Sequence, residues 1–321
     1  MTVLPLADIQ VARDRCAPYV VETPLVGSPR LSEELGTDVC LKLEYRQTTG
    51  SFKPRGAVNS ILALDTEARA GGVCGASGGN FAIGLAYAAS RLGVDALLFM
   101  PEQTPASYLE ATEAYGAAIH LTPDVTSAFT AAEEATTNGR AFLRPFDGAP
   151  MITGNGALGL ELLDQGPATT DVVVSIGGGG LYAGIASALA ANRPDIRVWT
   201  VETAGADVLG QSLAAGRPVE IVPTSHAHTL GAPSLAEAAW SMATSGTPVG
   251  AGHTVVTDTE ALVCALRLRE ELGDLVELAA SSTLAAARRL RDRLGEHVVL
   301  IMCGNNLAEE ELAWLRTELG V

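Results

Sequence analysis

Three glycine- or serine-rich turns carry the residues of this chain best suited to chemistry. The first is Thr49-Gly50-Ser51-Phe52-Lys53-Pro54-Arg55-Gly56-Ala57, where a lysine stands between an aromatic residue and a proline, ahead of an apolar helical run from Ala57 to Leu64. By itself that lysine reads as a solvated side chain beside what need be no more than a first-turn helix proline. The second turn, Ala76-Ser77-Gly78-Gly79-Asn80, and the third, Gly177-Gly178-Gly179-Gly180, each follow an apolar run and open a helical one. Together the three supply an amine nucleophile, a nest of backbone donors for a carboxylate over Ser77 to Phe81, and a cradle for a phosphate. Those are the parts that hold an aldehyde cofactor as a Schiff base and bring an amino acid to it.

Each turn taken singly keeps a second reading. Gly178-Gly179-Gly180-Leu181-Tyr182-Ala183 satisfies G-x-G-x-x-A after a strand, and Glu202 ends the next strand, close to a dinucleotide-binding fingerprint and hence a nicotinamide-dependent dehydrogenase. The acidic residue lies beyond the usual offset, and four successive glycines also let several N–H groups converge on one terminal phosphate, so the segment admits both. Ala76–Phe81 is either a tight strand-to-helix turn or a loop that offers N–H groups to a carboxylate and the Asn80 side chain to a ring hydroxyl. Cys303, in Cys303-Gly304-Asn305-Asn306, ends the apolar run VVLIM, where a thiol is ordinarily inert core. Beside a heteroaromatic nitrogen, a neutral thiol would leave that nitrogen unprotonated; the weaker electron sink favours elimination over chemistry that needs a long-lived carbanion. His226-Ala227-His228 has no third ligand near it, so no metal is expected. No G-x-S-x-G nucleophile elbow occurs.

These turns need elements to hold them. A helix is expected over residues 7–18, and a strand over Val39–Tyr45 that delivers Lys53. Strand-like runs at Val73–Ala76, Ala96–Met100, Ala117–Leu121 and Ala141–Phe146 alternate with helical stretches near 81–92, 105–115 and 125–138. Such alternation implies parallel strands with crossover helices. A helix over 154–165, the strand Asp171–Ile176, a helix to Ala191 and the strand Arg197–Glu202 follow. Helices at 259–272 and near 282–294, the strand Val298–Cys303 and a final amphipathic helix complete the pattern. The fold expected is α/β, a small lobe inserted into a larger one with the site in the cleft between them. The chain is long enough for that at 321 residues, and its 47% hydrophobic content excludes disorder. A net charge of −16 leaves no basic patch for nucleic acid. Five cysteines form no CxxC or even framework, which suits reduced thiols in the cytosol. No signal peptide or membrane-length apolar run is read.

In order and spacing, TGSFKPRGA, ASGGN, SIGGGGLYAG and CGNN resemble the lysine motif, asparagine loop, phosphate loop and ring-nitrogen motif of one family. These are the fold-type II (tryptophan-synthase-β-like) pyridoxal-phosphate enzymes, within them the serine/threonine dehydratase branch. The resemblance covers roughly residues 20–308, and four motifs in sequence decide the dinucleotide question against NAD. It implies two lobes with parallel sheets flanked by helices. Residues 1–50 and 147–321, with the lysine-bearing segment to about 71, would form the large cofactor-binding lobe, and residues 72–146 the small one. Lys53 would carry pyridoxal 5'-phosphate, Phe52 would lie near the ring, and Asn80 would meet its 3′-hydroxyl. Gly177, Gly178, Gly179, Gly180 and Leu181 would cradle the phosphate, Cys303 would face the ring nitrogen, and Glu277 would lie near ring and substrate. Ser77, Gly78, Gly79, Asn80, Phe81 and His228 would touch the substrate.

Three departures qualify the match. Gly78 stands where racemases of the family carry a serine acting on the opposite face of the substrate, which counts against racemisation. Glu202 and Ala206 match two divalent-metal positions of relatives, but Val208 replaces an expected carboxylate. His228, in AHTLGA, stands where aspartate is common, and could favour a second acidic group on the substrate or reshape the pocket. The resemblance implies elimination of water and ammonia from a β-hydroxy amino acid such as L-threonine or L-serine, giving a 2-oxo acid. Lys53 would act as the base at Cα, and the cofactor phosphate would protonate the departing hydroxyl. The nearest alternatives are a β-replacement synthase of the cysteine-synthase kind and an amino-acid racemase. A homodimer is expected by resemblance, as is the absence of feedback control, because about 15 residues follow Asn306.

Overall fold

The computed structural model describes residues 4–321. Among the described residues, short runs rich in valine, isoleucine and leucine form ten strands in two sheets. Six of them, β1 (Leu25–Gly27), β2 (Asp38–Lys42), β7 (Asp171–Ser175), β8 (Arg197–Thr203), β9 (Gly252–Val256) and β10 (His297–Ile301), make one sheet in the order β1-β2-β10-β7-β8-β9. All its pairings are parallel except that of β1 with β2. The other four, β3 (Val73–Ala76), β4 (Ala96–Pro101), β5 (Ala118–Thr122) and β6 (Ala141–Phe142), make a fully parallel sheet ordered β5-β4-β3-β6. Helices cover both sheets, so the inner strands are unbroken apolar runs rather than alternating ones; Val172, Val173 and Val174 are all fully buried. The architecture is the expected α/β one of parallel sheets flanked by helices.

Strand order is what assembles the distant motifs. The last strand, β10, enters the middle of the large sheet between β2 and β7. Its exit therefore runs beside the segment that follows β2: Phe52 N–H donates to Cys303 O at 3.1 Å, and Ser51 bridges Gly304. The lysine turn, the glycine run after β7 and the Cys303 segment thus share the carboxyl ends of parallel strands, where open α/β sheets bind ligands.

A buried ion cluster braces the lysine-bearing helix, Lys53–Ala63. Arg55 Nε lies 2.7 Å from Glu44 and its Nη1 2.6 Å from Glu161, while Lys42 Nζ donates to Glu161 and to Thr23 O, each at 2.6 Å. Two cations and two carboxylates thereby satisfy one another away from water. The cluster also corrects the Val39–Tyr45 strand. Pairing stops at Lys42, and Glu44–Arg46 turns as a 3-10 helix that hands the Glu44 carboxylate to Arg55. The Ala141–Phe146 strand likewise ends at Phe142, because Pro145 has no N–H for a ladder. The helix expected near 154–165 begins earlier, at Ala149, with Pro150 in its first turn. The one expected near 282–294 runs over Leu278–Arg289. Edge strands β1 and β9 carry no sequence signal of their own: β1 has three residues, and β9 reads GHTVV without alternation. Among the described residues no helix is long and apolar enough to cross a membrane.

Candidate active site

Lys53 opens its helix and lines the same cavity as the glycine run after β7. Its Nζ donates to Pro145 O at 2.9 Å and lies 4.9 Å from the centre of the Phe52 ring and 5.8 Å from that of Phe81. Burial among these groups lowers its pKa to about 8, despite the opposing pull of Cys303 and Glu277. The amine is therefore a far better nucleophile near neutral pH than a solvated lysine.

The glycine run is compressed from both sides. A β-carbon on Gly178 would lie 2.0 Å from the Phe146 ring, one on Gly180 2.5 Å from Phe146 O, and one on Gly177 3.0 Å from Leu230 O. Gly179 has φ +91°, a left-handed backbone that side chains resist. The helix Gly180–Asn192 starts here, with Leu181 second in it. First-turn N–H groups have no acceptor inside their own helix, so they face outward as an anion site. That geometry suits a terminal phosphate.

At the exit of β10, Cys303 Sγ lies 3.5 Å from Ser175 Oγ. Burial, reinforced by Glu277, pushes this thiol up to about 12; it is neutral at physiological pH. Glu277 is held by four hydrogen bonds: Asn80 Nδ2 at 2.8 and 3.0 Å from its two oxygens, Thr229 Oγ1 at 2.9 Å and Asn306 N–H at 2.9 Å. Burial raises its pKa and these hydrogen bonds oppose the rise. Asn80 Oδ1 accepts from Asn306 Nδ2 at 2.6 Å, and Tyr108 donates its hydroxyl to Asn306 O.

The loop before the helix Asn80–Leu92 forms the opposite wall. Ser77 Oγ accepts from Gly79 N–H at 3.1 Å, and Phe81 is buried beneath Lys53. Every residue singled out in the sequence as touching cofactor or substrate, His228 included, lines one cavity of about 490 Å³ between the two sheets. His228 sits at its exposed rim, where partial burial and His226 lower its pKa. Six residues of the site have no role in the sequence reading: Thr104, Pro145, Phe146, Ser175, Thr229 and Asn306. Ser175, Thr229 and Asn306 stand inside the quoted motifs SIGGGGLYAG, AHTLGA and CGNN and were within reach; Pro145 and Phe146 ended an expected strand, and Thr104 comes from a connecting loop with no pattern of its own.

The matched metal positions do not form a site. Glu202 accepts from Leu209 N–H and Gly210 N–H at 2.8 and 2.9 Å, and His253 Nε2 lies 3.1 Å from it. Val208 is buried and offers no ligand side chain. Among the described residues no group of three or more His, Cys, Asp or Glu is placed to hold a metal.

The parts fit a phosphorylated pyridine aldehyde: a low-pKa amine between aromatic rings, a crowded glycine cradle at a helix start, and a neutral thiol. Comparison with known proteins agrees. The profile of the family described as pyridoxal-phosphate dependent enzyme matches residues 17–304. The L-threonine ammonia-lyase of Geobacter sulfurreducens is 43% identical over 223 residues, 69% of this chain and 56% of its own length. The phenylserine dehydratase of Ralstonia pickettii is 39% identical over 222 residues, 68% of either chain. This chain therefore spans little more than half of the first relative and about two thirds of the second. Among solved structures, a threonine deaminase from T.th. superposes with a TM-score of 0.86 at 35% identity, covering 94% of this chain and 98% of that one. Maize serine racemase does so with a TM-score of 0.89 at 31% identity over 98% of each.

Proposed function

We propose, for a chain that belongs to the pyridoxal-phosphate dependent enzyme family, the elimination of water and ammonia from a β-hydroxy amino acid to give a 2-oxo acid. The observation that carries this reading is the neutral Cys303 thiol, hydrogen-bonded to Ser175, at the end of the cavity that also receives Lys53. A pyridine nitrogen beside it stays unprotonated, and a moderate electron sink suits loss of a β-leaving group. Bound pyridoxal phosphate supplies that sink. In this proposal Lys53 holds the cofactor at rest and takes the proton from the substrate Cα, a task for which its lowered pKa fits it. Gly177–Leu181 bind the phosphate, Phe52 and Phe81 keep water from the lysine, and Glu277 fixes Asn80 against the ring. The substrate carboxylate is taken by amides of the Ser77–Phe81 loop other than those of Ser77 and Gly79, which donate to Phe99 O and Ser77 Oγ.

The test is release of 2-oxo acid and ammonia from L-threonine or L-serine with no thiol added. Strict dependence on a second nucleophile would favour β-replacement, formation of the D-enantiomer would favour racemisation, and tight NAD(P) binding a dehydrogenase.

Substrate preference is part of the proposal. Lys53 is the only lysine or arginine lining the cavity among the described residues, whereas Glu277 and Glu311 both do. With His228 held neutral, a second carboxylate on the substrate finds no cation, so His228 is assigned to shaping the pocket. Val125, Phe129, Leu307 and Leu315 give an apolar wall, which accords with a relative named for phenylserine. We expect threonine and phenylserine to be used and 3-hydroxyaspartate to be poor, with His228→Ala changing that ranking more than cofactor occupancy. An unchanged ranking places the specificity determinant elsewhere in the cleft. A homodimer is proposed on resemblance alone, and a scattering mass near 33.1 kDa would refute it. Location in the cytosol is proposed from the five free cysteines.

A further inference from the structure

Thr104 carries a hydroxyl that the fold leaves idle. It stands in the turn after β4, where its N–H donates to Pro101 O at 2.9 Å. The residue lines the cavity and is 9% exposed, and its Oγ1 has no hydrogen-bond partner among the described residues. Buried hydroxyls without partners are rare and unfavourable, so one on a residue that lines a binding cavity points to a ligand atom.

Its position says which atom. A β-carbon on Gly78 would lie 2.7 Å from Thr104 Oγ1, so the threonine hydroxyl occupies the space that a side chain on the carboxylate-binding loop would fill. The other polar side chains of that loop are engaged: Ser77 Oγ with Gly79 N–H, and Asn80 with Glu277 and Asn306. The loop opens a helix of 13 residues, whose N-terminal N–H groups favour an anion. Thr104 has no neighbour to relay its proton, so it is fitted to donate a hydrogen bond rather than to act as an acid or base.

We infer that Thr104 is a substrate-binding residue whose hydroxyl donates to the carboxylate of the amino acid, standing in for the side chain that Gly78 lacks. The inference rests on the proposed function for the identity of the ligand. It is tested on the holoenzyme of Thr104→Val, which keeps the shape and removes the donor. L-alanine has the amine and carboxylate but no leaving group, so its binding can be followed through the change in cofactor absorbance. The dissociation constant should rise roughly tenfold or more. The KM for L-threonine should rise in parallel, with kcat within about twofold. The double variant Gly78→Ser/Thr104→Ala returns a hydroxyl from the other side and should recover wild-type binding to within about threefold.

Unchanged L-alanine binding in Thr104→Val, or a fall in kcat at constant KM, overturns the inference. Should Thr104→Val lose cofactor absorbance or melt early, the double variant decides: recovered binding supports the assignment, and weak binding overturns it. A wild type that binds L-alanine but releases no 2-oxo acid refutes the proposed elimination and leaves the Thr104 measurement intact.

Discussion

Lys53 owes its reactivity to the surroundings of its charge. Phe52, Phe81 and the Pro145 carbonyl stabilise an ammonium less well than water does, which is why its pKa falls to about 8. Depression means that protonation, not its absence, is the disfavoured state. Below pH 8 the amine is held as ammonium and cannot attack an aldehyde; above it the free amine predominates. Uptake of pyridoxal phosphate by the apoprotein should therefore accelerate about tenfold per pH unit up to pH 8 and then level off. Stopped-flow absorbance measures this, and a rate still climbing at pH 10 would mark an ordinary solvated lysine. Lys53→Ala should show no visible cofactor band at any pH.

Among the elements, the glycine run and the ion cluster carry the strongest expectations. Gly178→Ala drives a methyl into the Phe146 ring, 2.0 Å away. Overpacking of this kind costs roughly 1–3 kcal/mol, so spectral titration should find pyridoxal phosphate held about ten- to a hundredfold more weakly. Arg55→Met leaves Glu44 and Glu161 buried without their main partner, and loss of one member of a buried pair costs about 3–5 kcal/mol. Urea denaturation should register that loss; a change below about 1 kcal/mol would show that Lys42 takes over the pairing. At the end of β8, both Glu202 oxygens already accept hydrogen bonds from helix amides. Dialysis against a chelator should accordingly leave turnover unchanged, and activity restored only by a divalent cation would contradict this.

At the scale of the molecule, the cavity lies between two sheets and draws its lining from both. A cofactor bound there stabilises the folded chain by mass action, about 2.7 kcal/mol at a hundredfold excess over its dissociation constant. For a chain of this size the melting temperature of the holoprotein should exceed that of the apoprotein by roughly 4 °C. Calorimetry of the two forms checks it, and equal melting temperatures would mean that the cofactor does not bind the folded chain preferentially. The charge of −16 is a surface property and bears on solubility rather than on this site.

The sequence by itself determined the parts. Apolar runs bounded by glycine and proline marked most strands and helices. Lys53, the asparagine loop, the glycine run and Cys303 stood out because chemistry restricts which residue types can stand there, and the fold gathers them around one cavity. Where local pattern was weak or overruled, the reading ran out: β1 and β9 are short edge strands, and Glu44 leaves its strand to meet Arg55, a partner eleven residues on. Tertiary structure alone decided which parts meet. Only the insertion of β10 between β2 and β7 sets Cys303 beside Phe52, and only the packing of separate loops puts Pro145 against Lys53, Phe146 against Gly178 and Thr104 over Gly78. Those contacts join residues distant along the chain through close approach in space, and no spacing within a sequence window encodes that.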